Sequence, residues 1–371
     1  MRIKARERYI LIGGDYSQQE PKMLAVLSKD DNMMKAASEG KDLYSAVASK
    51  AFKVSYEECC EFFPKGTPII KDKDKWRYAT EEEIKNKEYS KLADGVTDTY
   101  KDGKNRRKQA KVILLGMMYS RGPKALAEQL GCSIAEARDI MDFVFDAFPS
   151  IKKCETESKE FAKKHGYTTT LWGRKRRLPD LQLPPYEFDF SKSDYVINMN
   201  NEYQDKINNA DSEEEKQQLE NEREEKISTH KKDIEKEATK ELEKAYWDRE
   251  ERQKIIDKYK KEYKVSIKVN TGFIAQAERQ VLNSRIQGSA AEMSKLAMKK
   301  IHQDKRLKEL GFQMLIPIHD EIIGECPLVN ARECRELFIE DMATAAEDKV
   351  KLKITVDPVC SFEWYGEEVE I

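Results

Sequence analysis

A mixed α/β (α+β) chain, mostly helical with a few short strands, follows from three features of the 371-residue sequence. Long segments repeat apolar residues at three- and four-residue spacing, the mark of amphipathic helices. The β-branched run Tyr9-Ile-Leu-Ile12 stops at Gly13-Gly14 and reads as a buried strand that delivers Asp15 at its end. Near the other end, Val350, Leu352, Ile354 and Val356 alternate with polar residues, as in a strand with one buried face.

The remaining elements follow in order. Glu20 to about Phe63 has helical spacing, and the polar stretch Gly66 to Gly103 holds a loop and one helix opened by a capping box at Thr80/Glu83. Asn105 to Leu130 is helical with a break near Gly122-Pro123. Ser133/Glu136 caps a further helix whose apolar face is Ile140, Phe143, Val144 and Ala147, and which should stop or bend at Pro149. From about Pro184 to Lys268 the composition turns to dense Glu and Lys. Ile227, Ile234, Ala238, Leu242, Ala245 and Tyr246 still fall at helical spacing there, which predicts a solvated helical arm or hairpin without chemistry of its own. Thr271 to Ile301 is one long helix. Phe312–Ile318 and Ile322-Ile323 are strands around a polar tip, His319-Asp320-Glu321.

At 43.1 kDa the chain is long enough for two or three compact lobes and for an enzyme. Charged residues make up 37% of it, yet the net charge is only -2, so any basic nucleic-acid surface must be local. The seven cysteines are scattered with no metal-binding spacing, which fits reduced thiols in a cytoplasmic protein. No secretory signal and no membrane-spanning run is present.

Asp15 and Asp320 each end or interrupt an apolar strand, a costly place for an unpaired carboxylate. Two such groups converging fit a Mg²⁺ site, and each also fits a turn or helix cap. Arg107, Lys111, Leu115 and Tyr119 recur every four residues along one helix. Two cations, an aliphatic residue and a ring match the parts of a nucleoside triphosphate; a solvated basic face over a core Leu and Tyr matches the same pattern.

Five ordered blocks resemble family A DNA polymerases, the group of bacterial DNA polymerase I and many phage replicative enzymes. Gly14-Asp-Tyr-Ser-Gln-Gln-Glu-Pro-Lys22 resembles motif A. Arg107-Lys-Gln-Ala-Lys-Val-Ile-Leu-Leu-Gly-Met-Met-Tyr119 resembles motif B, and His319-Asp-Glu321 resembles motif C. Gly166 to Asp180 and Ala277 to Glu292 are similar to two further family stretches. The resemblance implies a palm with a small antiparallel sheet from 1–35 and 271–371, mostly helical fingers from 36–183, and a charged helical insertion at 184–270.

It also implies template-directed addition of dNTPs to a DNA primer by two Mg²⁺ ions, with Mn²⁺ as a substitute. Asp15, Asp320 and the backbone carbonyl of Tyr16 would hold the metals, with Glu321 beside them. Arg107 and Lys111 would bind the triphosphate, Lys111 also protonating pyrophosphate, while Gln19, Tyr44, Leu115 and Tyr119 complete the nucleotide site. Glu20 against Tyr119 would exclude a ribose 2′ hydroxyl. Arg174, Arg279, Asn283, Gln287 and His319 would contact the primer-template.

Four departures stand out: Leu115 for an aromatic, Lys22 for Arg, Tyr44 for His, and Pro317 in a strand, which calls for an edge or a bulge. Gln19 and Pro21 point to a phage-type member, hence to host cytoplasm. Family members carry a thumb and usually an exonuclease before motif A, whereas fourteen residues precede Asp15 here. The thumb and 3′–5′ exonuclease are therefore expected on a separate polypeptide. Two other readings compete: a non-catalytic DNA-binding or scaffold remnant, and a phosphohydrolase, which four dispersed histidines serve poorly.

Overall fold

The computed structural model describes residues 3–72 and 75–371, so residues 1 and 2 of the 1–35 segment and residues 73 and 74 of the polar stretch lie outside the described residues. The chain divides into two compact units, Met1–Leu178 with Glu278–Ile371, and Pro179–Ala277.

In the first unit, β1 (Tyr9–Tyr16) does not break at Gly13-Gly14 but runs through to Tyr16. A Cβ on Gly14 would lie 2.7 Å from Met342 Sδ and 2.7 Å from Phe338 Cε1, and one on Gly13 would lie 2.8 Å from Glu321 Oε1. These glycines admit close neighbours; they do not make a turn. Three helices follow: α1 (Gln19–Ser28), α2 (Asp31–Ser38) and α3 (Leu43–Phe52). Asp30 and Asp42 cap the last two by accepting their first free N–H groups.

Where a loop and one helix were expected, the chain also builds a small antiparallel sheet. Its strands are β2 (Pro68–Asp72), β3 (Lys75–Tyr78) and, beyond α4 (Glu81–Asn86), β4 (Lys91–Leu92). The capping box at Thr80/Glu83 is present. Phe63, Ile69, Ala93 and Tyr100 give these polar strands a buried face, and their wide sequence separation hides the sheet from periodicity.

Next come α5 (Lys101–Met118), α6 (Pro123–Leu130), α7 (Ile134–Ala147) and α8 (Pro149–His165), with Pro123 and Pro149 at first helical positions. On α7 Val144 is buried as expected, while Phe143 is exposed, with the Lys53 ammonium 3.8 Å from its ring centroid; Ala137 takes a core place. The hairpin β5 (Tyr167–Thr169) and β6 (Lys175–Arg177) ends this stretch.

The second unit contains β7 (Tyr186–Asp189), α9 (Asp194–Asn208), α10 (Glu213–Lys244), α11 (Arg249–Glu262) and β8 (Ser266–Val269), with β7 and β8 paired antiparallel. Ile234, Ala238 and Leu242 form a buried seam along α10 and meet Ile255 and Tyr259 of α11 in a core of the unit's own. Asn270 is fully buried, its side chain donating to Pro184 O at 3.0 Å and Glu187 Oε1 at 2.6 Å.

The chain continues through α12 (Thr271–Gln303), α13 (Lys305–Glu309), β9 (Gln313–Ile318), β10 (Glu321–Pro327), α14 (Ala331–Thr344) and β11 (Val356–Ser361). The main sheet is antiparallel with order β11-β1-β10-β9. Pro317 sits on the edge strand β9, opposite Ile322 and next to a bulge at Ile323/Gly324. Val350, Leu352 and Ile354 are buried as their alternation predicts, but the ladder starts only at Val356, so burial there does not come from strand pairing. All seven cysteines are free. Among the described residues, no helix is long and apolar enough to cross a membrane.

Candidate active site

The site begins with strand register. β1 lies between β10 and β11, and Asp15 stands opposite Glu321 on one side and Asp357 on the other. Asp320 joins them from the two-residue turn between β9 and β10, which His319 enters with φ 55°. Burial first, and then the charges of Asp320, Glu321 and Asp357, hold the Asp15 carboxyl up at about 6.

Asp357 was missed in the sequence because Pro358 and an irregular approach hide its strand; the signal available was an Asp directly after the apolar Val356, the pattern that marked Asp15. The Ser17 hydroxyl donates to Asp357. Lys22 is buried nearby, its ammonium donating to Thr355 Oγ1 at 2.9 Å. Burial pulls its pKa down, against the attraction of Asp357. Tyr16 turns its ring into the core, where the phenol donates to Met342 O at 2.9 Å, while its backbone pairs with Val356.

Like-charged hard oxygen donors gathered at one level of a sheet fit a divalent cation. Among the described residues no three His, Cys, Asp or Glu side chains are arranged to hold a metal by themselves. Such a donor set suits Mg²⁺, which takes one or two carboxylates and completes its shell with substrate phosphates and water.

Helix α5 carries the second part. The Arg107 guanidinium and the Lys111 ammonium lie 5.5 and 5.8 Å from the Tyr44 ring centroid, so three of the expected nucleotide residues meet across α3 and α5. Burial and the neighbouring Glu20 push the Tyr44 phenol up to about 12. Arg107 is already engaged by Asp42: Nε donates to Oδ2 at 3.0 Å and Nη2 to Oδ1 at 2.8 Å. Lys111 is exposed, and Leu115 is half-buried against the core.

Tyr119 caps the end of α5. Its hydroxyl lies 3.5 Å from Glu20 Oε2, and Gln287 Nε2 of α12 donates to both Glu20 Oε1 at 3.2 Å and Tyr119 at 3.1 Å. Gln19, expected at the nucleotide, instead faces the interior. It is 6% exposed and donates to Ala290 O and Ser294 Oγ, joining α1 to α12.

The third part is a cleft of 620 Å³ between the β5–β6 hairpin and α12, lined by Arg174, Lys175, Arg176, Asn283 and Gln287. The Asn283 Oδ1 is buried there with no protein partner. Arg279 is exposed on α12 and does not line this cleft.

The chain matches the family model described as DNA polymerase family A over residues 2–61, 81–204 and 260–365. It is 26% identical to DNA polymerase I of Streptococcus pneumoniae, over 93% of this chain and 25% of that protein. With DNA polymerase I of Chloroflexus aurantiacus the identity is 23%, over 91% of this chain and 22% of the relative. With the thermostable DNA polymerase I of Thermus thermophilus it is 24%, over 95% and 27%. The chain thus spans about a quarter of the length of the curated relatives it matches. Among solved structures, the POL domain of Pol1 from M. smegmatis, in complex with DNA primer-template and dNTP, superposes with a TM-score of 0.57 at 23% identity. That match covers 97% of this chain and 41% of the other, and shows a shared fold.

Proposed function

This chain belongs to DNA polymerase family A, and from that membership and the site we propose that it adds deoxynucleotides to a primer 3′ end on a DNA template. The observation that carries the reading is the convergence of Asp15 and Asp320 on one end of the β1–β10 sheet, in the same compact unit as the helix α5 that bears Arg107 and Lys111. Asp15 and Asp320 would hold Mg²⁺, with Glu321 and Asp357 adding negative charge beside them; the bound ions supply activation of the primer hydroxyl and charge neutralisation at pyrophosphate.

Arg107 and Lys111 bind the triphosphate, and Lys111, exposed at the site, donates a proton to the leaving pyrophosphate. Glu20, held against Tyr119 by Gln287, would exclude a ribose 2′ hydroxyl and so select deoxyribose. Arg174 and Asn283 in the basic cleft, with His319 at the hairpin tip and Arg279 on α12, take the primer-template. In this reading 1–35 and 271–371 are palm and 36–183 fingers of a phage-type enzyme for DNA replication in the host cytoplasm.

Primer extension with Mg²⁺ tests this, using deoxy- and ribonucleotides, with and without an added thumb-bearing polymerase fragment. Asp320→Ala should lower deoxynucleotide addition by about a thousandfold or more without unfolding the chain. Absence of extension by a folded wild-type chain under both conditions would favour a non-catalytic DNA-binding remnant.

A further inference from the structure

Asp42 performs two tasks with one carboxylate. It caps α3, where Oδ2 accepts the Ser45 N–H at 2.7 Å and the Ser45 hydroxyl at 2.6 Å. The same group takes the Arg107 guanidinium in a two-point contact, Nε to Oδ2 at 3.0 Å and Nη2 to Oδ1 at 2.8 Å. The Asp42 backbone is itself fixed, its N–H donating to the Tyr56 hydroxyl at 2.9 Å. Arg107 and Asp42 are both shielded, with side chains 31% and 21% exposed, so water screens the pair only in part.

The arrangement uses the guanidinium edge that matches a carboxylate or phosphate best, because Nε and one Nη form the fork for bidentate anion binding. The end-on edge, both Nη1 hydrogens and the second Nη2 hydrogen, remains for an incoming phosphate. We propose that Asp42 is an internal anion for the phosphate-binding end of α5: it occupies the Arg107 fork in the unliganded chain, and a polyphosphate must displace it or accept the poorer edge. This rests on the polymerase reading and adds to it a residue that sets polyphosphate affinity from outside the reacting atoms. The contact lowers affinity for the substrate triphosphate and for the pyrophosphate product alike, so it favours turnover over retention of product.

The test separates the internal anion from the helix cap. Asn and Ser are good capping residues, so Asp42→Asn and Asp42→Ser remove the charge and keep an acceptor for the Ser45 N–H. Binding of inorganic tripolyphosphate, measured by calorimetry on the full chain, needs neither DNA nor catalysis. Both variants should bind it about three- to tenfold more tightly than wild type, the scale expected for freeing one partly screened cation.

In an Arg107→Ala background the same substitutions should change nothing. Unchanged or weaker binding in the single variants would overturn the proposal, and so would a gain that persists without Arg107, which would reduce Asp42 to a general field effect. Primer extension by wild type, run alongside, judges the polymerase reading separately: extension with an inert Asp42 sinks the internal anion alone.

Discussion

Along β1, β10 and β11, three carboxylates stand side by side with no basic partner in register, whereas α9, α10 and α11 spread far more acid over a solvated surface that carries several ion pairs between neighbouring turns. Residues 179–277 hold 24 Asp and Glu against 18 Lys and Arg, and the rest of the chain holds 45 against 49. The second unit is therefore the more charged in appearance and the less demanding electrostatically. Pairs such as Lys206–Glu202 at 2.6 Å and Lys226–Glu222 at 3.0 Å are solvated i,i+4 contacts of small net worth. In the sheet, burial first and then the converging charges raise Asp15, and the like charges leave an excess that a cation would relieve. Density of charge thus says little about chemistry; unrelieved like charge says a good deal. The family match agrees, since it passes over residues 205–259, which include all of α10, and continues across the sheet.

The comparison breaks most severely if the narrow seam of the second unit proves dispensable. Leu242→Ala empties a fully buried position in a core with few members and should cost about 2–5 kcal/mol. Hydrogen exchange should then show protection lost in α10 and α11 and kept in β1 and β10. Equal loss in both units would mean that they do not fold as distinct bodies.

The sheet has its own packing limit. Gly14→Ala places a methyl 2.7 Å from Met342 Sδ and Phe338 Cε1, and overpacking of this kind costs about 1–3 kcal/mol, read by urea denaturation. An unchanged midpoint would show that α14 moves away freely.

A smaller effect sharpens the electrostatic contrast. Asp15 is held at about 6, above its ordinary 3.8, so between those values the folded chain binds a proton that the unfolded chain has released. Its contribution favours folding as pH falls from about 6 toward 4 and is lost as pH rises through 6. In chelator, Asp15→Asn should therefore stabilise the chain at pH 7 relative to wild type and do so less at pH 4.5. The smallest effect belongs to the second unit: Lys206→Ala should leave the unfolding midpoint unmoved.

Much of the fold could be read locally. Both capping boxes, the helix breaks at Pro123 and Pro149, the long α12 and the apolar seam of α10 depend on residues within one or two turns, and each forms where its spacing places it. What failed was non-local. The sheet of β2, β3 and β4 depends on Phe63, Ile69, Ala93 and Tyr100 meeting, and no short window contains them. Gly13-Gly14 looked like a break because glycine most often marks a turn; here it admits Glu321, Phe338 and Met342 from more than three hundred residues away.

The site divides along the same line. By itself the sequence determined the residue types and their local spacing: acids at strand ends in Asp15 and Asp320, and cations four residues apart in Arg107 and Lys111. Helix and hairpin periodicity are properties of neighbouring residues. Only the tertiary structure decided that Asp357 completes the acidic row, that Gln287 joins Glu20 and Tyr119, that Gln19 faces inward and that Asp42 holds Arg107. Each of these is a pairing of distant segments, set by strand register or helix packing, and register follows from which faces can be buried together.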